Sequence, residues 1–379
     1  MGENEKHLRV MSSYLRDDAE LVGIVLVISD ITELTKMRDA VKAMEAIRDL
    51  NKKLELRNVL LKQTFGRYLS DEIVREILDT PDGLKMGGSR QQITIMMSDL
   101  RGFTMMCERM NPADLILMLN HYFACMYEEI ERYRGTIIEF MGDGMFVIFG
   151  APVRRSTHAS DAVAAAVAMQ NRMKEVNAWN TEHGYETLSM GIGINTDDVI
   201  LGNIGSEQRT KYGVMGPAVN LTGRIESYTT DGQVLLSESV LRASASEIMT
   251  AGKIRVQPKG VGHEISLFEA AGIGAPYDLL KTDRDRNDLQ PLMKPAAVRY
   301  TILDGKHAGE YDHDGVLAAL SEDGAVMKQC SLKKYDNVLI DAAGGIYAKA
   351  VDTEADTAEL VFTGKPAGFR QWKEALLHE

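Results

Sequence analysis

Cysteine is scarce. Cys107, Cys125 and Cys330 are the three in 379 residues, with neither metal-ligand spacing nor the even framework of a disulfide scaffold, which fits a reducing, cytoplasmic setting. Long apolar runs are missing as well. The stretch Leu21–Ile28, LVGIVLVI, is far too short to span a bilayer, and no small-residue cleavage pattern follows it, so neither membrane insertion nor a signal peptide is expected. Positive charge is in deficit, 43 Lys and Arg against 55 Asp and Glu, a net charge of -12. That argues against nucleic acid as a general partner, although a nucleotide site can be locally basic. What is present, 45% apolar and 26% charged residues, is ordinary globular composition, and the length suits about two or three domains.

Residues 1–30 read as two strands around a polar turn, HLRVMSSYLR and LVGIVLVISD on either side of DDAE. Two strands are not a stable unit alone. The stretch and its Asp30-Ile31-Thr32 step resemble the C-terminal end of a PAS sensor domain, which implies a chain that begins inside such a domain; a plain hairpin packed on something else fits equally. Residues 31–65 read as one long helix. Leu34, Met37, Val41 and Met44 follow coiled-coil spacing, and Ile47, Leu50, Leu54 and Leu61 continue it after a three-residue step that breaks the heptad. A seam with such a fault suits a signal-transmitting dimer helix; a single amphipathic helix on a core is the alternative.

Residues 66–272 alternate strands and helices. Strands are expected at Gln92–Ser98, Thr136–Met141, Met145–Phe149, Ser189–Ile194 and Tyr212–Met215, and helices at Pro112–Tyr133, Thr157–Ala178 and from Pro217. This βαββαβ order predicts an α+β, ferredoxin-like sheet with helices on one face. A polar linker, residues 273–291, leads to residues 292–379, whose short alternating strands and closing helix predict a small β-barrel.

In IIEFMGDGMFVIFG one Asp stands between two glycines inside apolar runs, a costly place for a charge unless something binds it. Asp99, after the strand ITIMMS and before LRGFT, is a second carboxylate at a strand end beside a glycine turn. Adjacent strands can bring Asp99 and Asp143 together, and two such carboxylates with substrate phosphates are the usual surroundings of Mg²⁺. Either Asp alone would more often cap a turn.

These segments, with MGIGINT, GNIGS, KYGVMGPAVNLTGRIES and KGVGHEISLFEA, resemble the class III adenylyl/guanylyl cyclase catalytic domain over about residues 85–272. The resemblance implies a nucleotidyl cyclase that turns a nucleoside triphosphate into its 3′,5′-cyclic nucleotide and pyrophosphate. It implies a homodimer with shared active sites and two divalent cations, Mg²⁺ or Mn²⁺. By position, Asp99, Asp143 and the Leu100 carbonyl match the metal ligands. Arg101, Gly102, Phe103 and Thr104 match the loop whose backbone holds the triphosphate. Asn220 matches the ribose-orienting residue and Arg224 the arginine that meets the α-phosphate, while Arg209 and Lys259 match cations for the β- and γ-phosphates. Arg209 and Lys259 alone would more often be solvated surface, and Asn220 and Arg224 an ordinary i,i+4 pair. Two departures stand out: Thr196 is followed by Asp197 rather than Gly, and Pro217 replaces an Asp, which suits a first helical turn. A cyclase fold that only binds or transmits is the competing reading, but the aligned catalytic positions are filled. No Gly-Gly-Asp-Glu-Phe-like hairpin supports a diguanylate cyclase.

In the resembling family the residue four before the second metal Asp reads the base, with a partner on a later strand. Here these are Glu139 and Gly213. Guanine offers N1–H and N2–H₂ donors, which suit a carboxylate; adenine N1 is an acceptor and suits Lys. The pair implies GTP over ATP, with an adenylate cyclase as the alternative. The C-terminal segments GVLAALSEDGAVMKQCSLKKYDNVLIDA and LVFTGKP resemble a PilZ-type barrel, in which Ser321 and Gly324 fit. Ala319 stands where that family has Asp, and Arg299 stands alone where it has an Arg pair, so the resemblance implies the barrel without its cyclic di-GMP ligand.

Overall fold

The computed structural model describes residues 6–17, 20–66, 70–79, 83–258, 261–282, 289–304, 307–366 and 368–378. The chain divides into two compact units, residues 1–71 and 72–379. In the first, β1 (Leu8–Asp17) and β2 (Glu20–Asp30) form an antiparallel ribbon that pairs Leu8 with Asp30. Helix α1 (Thr32–Phe65) follows at once. The Asp30-Ile31-Thr32 step is the fastening. Asp30 Oδ1 accepts from Thr32 N at 3.0 Å and Thr32 Oγ1 at 2.6 Å, and Thr32 Oγ1 accepts from His7 N at 2.8 Å. These bonds hold the Asp30 carboxyl below its ordinary range. Leu34, Met37, Val41, Met44, Ile47, Leu50, Leu54 and Leu61 are all exposed along α1 within the single chain.

The second unit opens with α2 (Asp71–Asp79) and is built on β3 (Gly87–Leu100). After α3 (Phe103–Arg109) comes α4 (Pro112–Arg132), started by Asn111, whose side chain accepts from Ala113 N, and by Pro112 in the first turn. The hairpin β4 (Thr136–Met141) and β5 (Gly144–Phe149) leads to α5 (His158–Glu182). Then follow β6 (Met190–Ser206), β7 (Arg209–Met215), α6 (Pro217–Ser227), β8 (Val234–Ser237), α7 (Glu238–Ala243), β9 (Ile248–Val256), β10 (Ile265–Ile273) and β11 (Leu279–Leu280). The sheet order is β11-β10-β8-β6-β3-β5-β4, with β7 paired to β6 and β9 to β10. The α+β architecture is the expected one.

Helices α4 and α5 cover one face. From Ala159 to Met169 every residue of α5 is buried, and the run of alanines lets it lie close to the sheet. Even-numbered residues of β3, such as Met96 and Leu100, join this core, while Ile93, Ile95 and Met97 face the other side. That other face is not left bare, as the expectation of helices on one side had it. Helix α6 and the β6–β7 hairpin cover it, because β6 runs on well past Ile194. Thr196 and Asp197 sit inside this strand, opposite Thr94 and Ile93, and Thr196 Oγ1 lies 2.7 Å from Thr94 Oγ1. The Thr–Asp departure therefore lies in paired backbone, not in a loop. Pro217 does open α6.

Residues read as a linker contribute β11 to the sheet edge. Beyond it, β12 (Gln290–Asp304), β13 (His307–Leu320), β14 (Gly324–Lys328), β15 (Asn337–Ile340), β16 (Ile346–Glu354) and β17 (Thr357–Gly364) close a barrel in the order β12-β13-β14-β17-β16-β15, followed by α8 (Phe369–His378). Ser321 Oγ accepts from Asp323 N and Gly324 N in the β13–β14 turn, and Arg299 pairs with Asp341 on the surface.

Glycine is required where α6 meets the sheet. A Cβ on Gly193 would stand 2.7 Å from Glu226 Cα, inside backbone that cannot yield. Gly193→Ala is expected to cost about 1–3 kcal/mol, read as a fall of several degrees in the thermal midpoint; an unchanged midpoint would show that α6 is free to move away.

Candidate active site

Asp143 owes its position to the two glycines around it. Met141 pairs with Gly144, so Gly142 and Asp143 form a two-residue hairpin tip, and Gly142 takes φ 68° there. Gly144 lets the tip close on β3: a Cβ at that position would stand 2.6 Å from the Ser98 carbonyl. The closure brings Asp143 Oδ2 to 3.2 Å from Leu100 N. Asp143 is 8% exposed, whereas the Asp99 side chain is 42% exposed. Sequence-distant carboxylates thus meet at one end of β3, and both help hold the Arg101 guanidinium charged. Among the described residues no three His, Cys, Asp or Glu side chains form a closed metal cage. Two carboxylates at this strand end, with the Leu100 carbonyl as the further ligand the resemblance implies, fit an open site, in which a hard cation takes its other oxygens from water and phosphate.

The Arg101 side chain turns inward. It reaches Asp99 Oδ2 at 3.4 Å, Thr229 Oγ1 at 2.6 Å and the Glu226 carboxylate of α6, and is 12% exposed. Gly191 leaves room for it, since a Cβ there would overlap the guanidinium, 2.9 Å from Cζ. Burial alone would lower the Arg101 pKa; Glu226 and then Asp99 outweigh it and leave it raised. Burial pushes Glu226 up, against the pull of Arg101. The expected phosphate loop follows immediately. Gly102 adopts φ 71° before α3, Gly102 and Phe103 are half-buried, and Thr104 is exposed. What Arg101 offers to that loop is backbone, because its guanidinium is engaged below.

Asn220 and Arg224 lie on α6, Asn220 exposed and Arg224 half-buried. Arg209 is exposed beside the tip of the β6–β7 hairpin, where Ser206 pairs with it. Lys259 lies outside the described residues. Glu139 is re-aimed by a bulge: Ile137 pairs with Val147 and Glu139 with Phe146, so the extra residue between them turns its side chain. Its carboxylate meets Lys211 Nζ of β7 in an ion pair, both side chains about half exposed. Gly213, two residues on and across from Gly202, is buried with Ile204 Cδ1 3.3 Å from where a Cβ would be. Glu139 and the Lys211–Gly213 strand segment therefore share one place.

The family profile "Adenylate and Guanylate cyclase catalytic domain" matches residues 87–268. The crystal structure of the guanylyl cyclase Cya2 is 51% identical and aligns over 52% of this chain and 100% of its own, with a TM-score of 0.51. The chain belongs to the adenylate and guanylate cyclase family. Among curated relatives, adenylate cyclase 1 of Rhizobium meliloti (strain 1021) is 28% identical over 212 residues, 55% of this chain and 32% of its own. The adenylate cyclase of Anabaena cylindrica is 30% identical over 240 residues, 59% of this chain and 46% of its own. The chain thus spans less than half of the length of each of these curated relatives. No helix among the described residues is long and apolar enough to cross a membrane.

Three residues around the candidate site escaped the reading of the sequence. Lys211 neutralises Glu139 from 72 residues away. Glu226 holds Arg101, and Lys349 of the barrel reaches the end of α6. Lys211 and Glu226 each carried a signal, as the first residue of KYGVMGPAVNLTGRIES and as the acid after Arg224 in the same motif; Lys349 carried none.

Asp143→Asn keeps an oxygen for Leu100 N but removes the charge. Mn²⁺ affinity by calorimetry, without nucleotide, is expected to fall about tenfold or more with little change in thermal midpoint; an unchanged affinity would remove Asp143 from the metal site.

Proposed function

We propose that this chain is a homodimeric nucleotidyl cyclase that converts GTP, in preference to ATP, into the 3′,5′-cyclic nucleotide and pyrophosphate. The observation that carries the reaction is the meeting of Asp99 and Asp143 around the Leu100 backbone, beside a glycine loop whose N–H groups can face phosphate. Bound there, two Mg²⁺ or Mn²⁺ ions would ease loss of the 3′-hydroxyl proton and neutralise phosphate oxygens. In the reaction that hydroxyl gives its proton to water, its oxygen bonds to the α-phosphorus, and the bond from that phosphorus to the β-phosphate oxygen breaks. In this reading Asn220 orients the ribose, Arg224 stabilises charge on the α-phosphoryl group, and Arg209 and Lys259 bind the departing phosphates. Asn220 and Arg224 serve the site whose aspartates belong to the other chain, and the exposed apolar stripe of α1 supplies a surface for pairing the chains.

The preference for guanine rests on Glu139. A carboxylate accepts from guanine N1–H and N2–H₂, and Lys211 beside it can donate to a guanine oxygen. Facing adenine N1, Glu139 would set two acceptors against each other, a conflict of about 1–3 kcal/mol. The 51% identity to a structure described as a guanylyl cyclase points the same way; the relatives named adenylate cyclases keep ATP as the second reading.

The test is kcat/KM for GTP and ATP with each metal, in wild type and Glu139→Lys. Wild type is expected to favour GTP by about tenfold or more, and the variant to lose GTP turnover. Efficient use of ATP with no use of GTP would overturn the substrate assignment and leave the cyclase intact.

The shared site has its own test. Asp143→Ala and Arg224→Ala should each be inactive, and re-dimerised mixtures of the two should regain activity through one intact site per heterodimer. Mixtures that stay inactive, although both variants are folded and exchange subunits, would rule out sharing between chains.

A further inference from the structure

Among the described residues the barrel meets the catalytic domain at the loop after Asp99 and along the end of α6, both beside the proposed site. At the metal and phosphate loop, Thr363 O and Gly364 Cα of β17 close on Gly102, 2.6 and 2.9 Å from where its Cβ would stand. Arg109, at the end of α3, donates from both terminal nitrogens to Lys365 O at 3.2 Å. At the end of α6, Tyr335 packs edge-on against Tyr228 with ring centroids 5.4 Å apart. Between these contacts Lys349 of β16, 3% exposed, donates to Ser227 O at 2.5 Å and Thr229 O at 2.9 Å. An ammonium on the last carbonyls of a helix satisfies groups that have no partner in the helix and meets the negative end of its dipole.

Charges alternate from the metal site to the barrel. Asp99 meets Arg101, Arg101 meets Glu226 on α6, and Lys349 holds the backbone one and three residues after Glu226. We propose that Lys349 is a positioning residue for the cyclase site, through which the docked barrel fixes the loop after Asp99 and the end of the helix bearing Asn220 and Arg224 in one mutual geometry. This rests on the cyclase reading above. A buried polar chain of this kind is satisfied in one arrangement only, so it specifies position more than it adds stability. Burial and the nearby Arg101 push the Lys349 ammonium down to about 7, against the pull of Glu226 and Asp99. In the shared-site dimer each barrel would brace the metal loop of one site and the arginine helix of the other.

The experiment uses the full chain and compares wild type, Lys349→Met and Lys349→Arg. Lys349→Met is expected to lower kcat about tenfold or more, as small misplacements of catalytic groups do, with KM for GTP little changed. Amide hydrogen exchange should quicken in residues 100–106 and 217–230, and Lys349→Arg, which keeps donors, should recover most of kcat. A Lys349→Met protein with wild-type or higher kcat, or with unchanged exchange in both segments, overturns the proposal; a higher kcat would make the contact a restraint. If Lys349→Met does not fold, Glu226→Gln breaks the same chain while keeping its shape. The same loss of kcat at constant KM is then expected, and wild-type kcat overturns the proposal. A wild type that makes no cyclic nucleotide from either triphosphate would refute the cyclase reading instead, and the exchange measurement would still decide the positioning.

Discussion

The buried Arg101–Glu226 pair is the interaction on which this arrangement turns. It sits where the strand β3, the long strand β6 and the helix α6 come together, and it needs the space left by Gly191 and Gly193, which carry no side chains. A buried ion pair is weak evidence of stability, since desolvation offsets much of the attraction. It is strong on geometry, because removing either partner strands a charge in the interior. Here the pair sets where α6 ends relative to Asp99, and so how two elements of the proposed chemistry are spaced.

The proposed metal site applies the same economy of space to backbone. Glycine at 142 permits the turn, glycine at 144 permits close approach, and the carboxylate between them is carried to the end of a neighbouring strand. Asp143 is nearly buried and tied to Leu100 N, while Asp99 remains half open. In the proposed site one ligand would thereby be preorganised, and the other would keep access for cation and phosphate. The proposed base-reading position follows a different rule, in which a bulge rather than a glycine turns Glu139 to face Lys211.

The barrel extends this logic beyond the catalytic domain. Its own core is closed and separate, built on Leu317, Met327, Val338, Ile340 and Leu360, so it does not need the cyclase sheet to bury its apolar faces. What it places against that sheet is largely polar: one buried ammonium and the carbonyls of Thr363 and Lys365, with Tyr335 as the apolar contact. A polar interface of this kind can dock and release at modest cost, which suits a module that conveys position.

The sequence by itself determined the elements and the identity of the chemistry. Apolar periodicity and turn residues placed the β4–β5 hairpin around Gly142–Asp143, the start of α4 at Pro112 and the start of α6 at Pro217, and gave the barrel without the bounds of its strands, because turns and helix starts depend on neighbours within one turn or one hairpin. Where strand continuation depended on a distant partner, the sequence fell short: the strand expected over Ser189–Ile194 runs on to Ser206 because β3 and β7 pair with it. The tertiary structure alone decided which charge meets which. Arg101 read as part of the phosphate loop and points into the interior at Glu226, 125 residues away; Glu139 read as a base-reading acceptor partnered by Gly213 and faces Lys211; Lys349 was not singled out and is buried at the end of α6. The physical reason is range. Burial patterns repeat over two to four residues and are written locally, whereas the partner of a long side chain is fixed by strand register and domain docking, which no local pattern records.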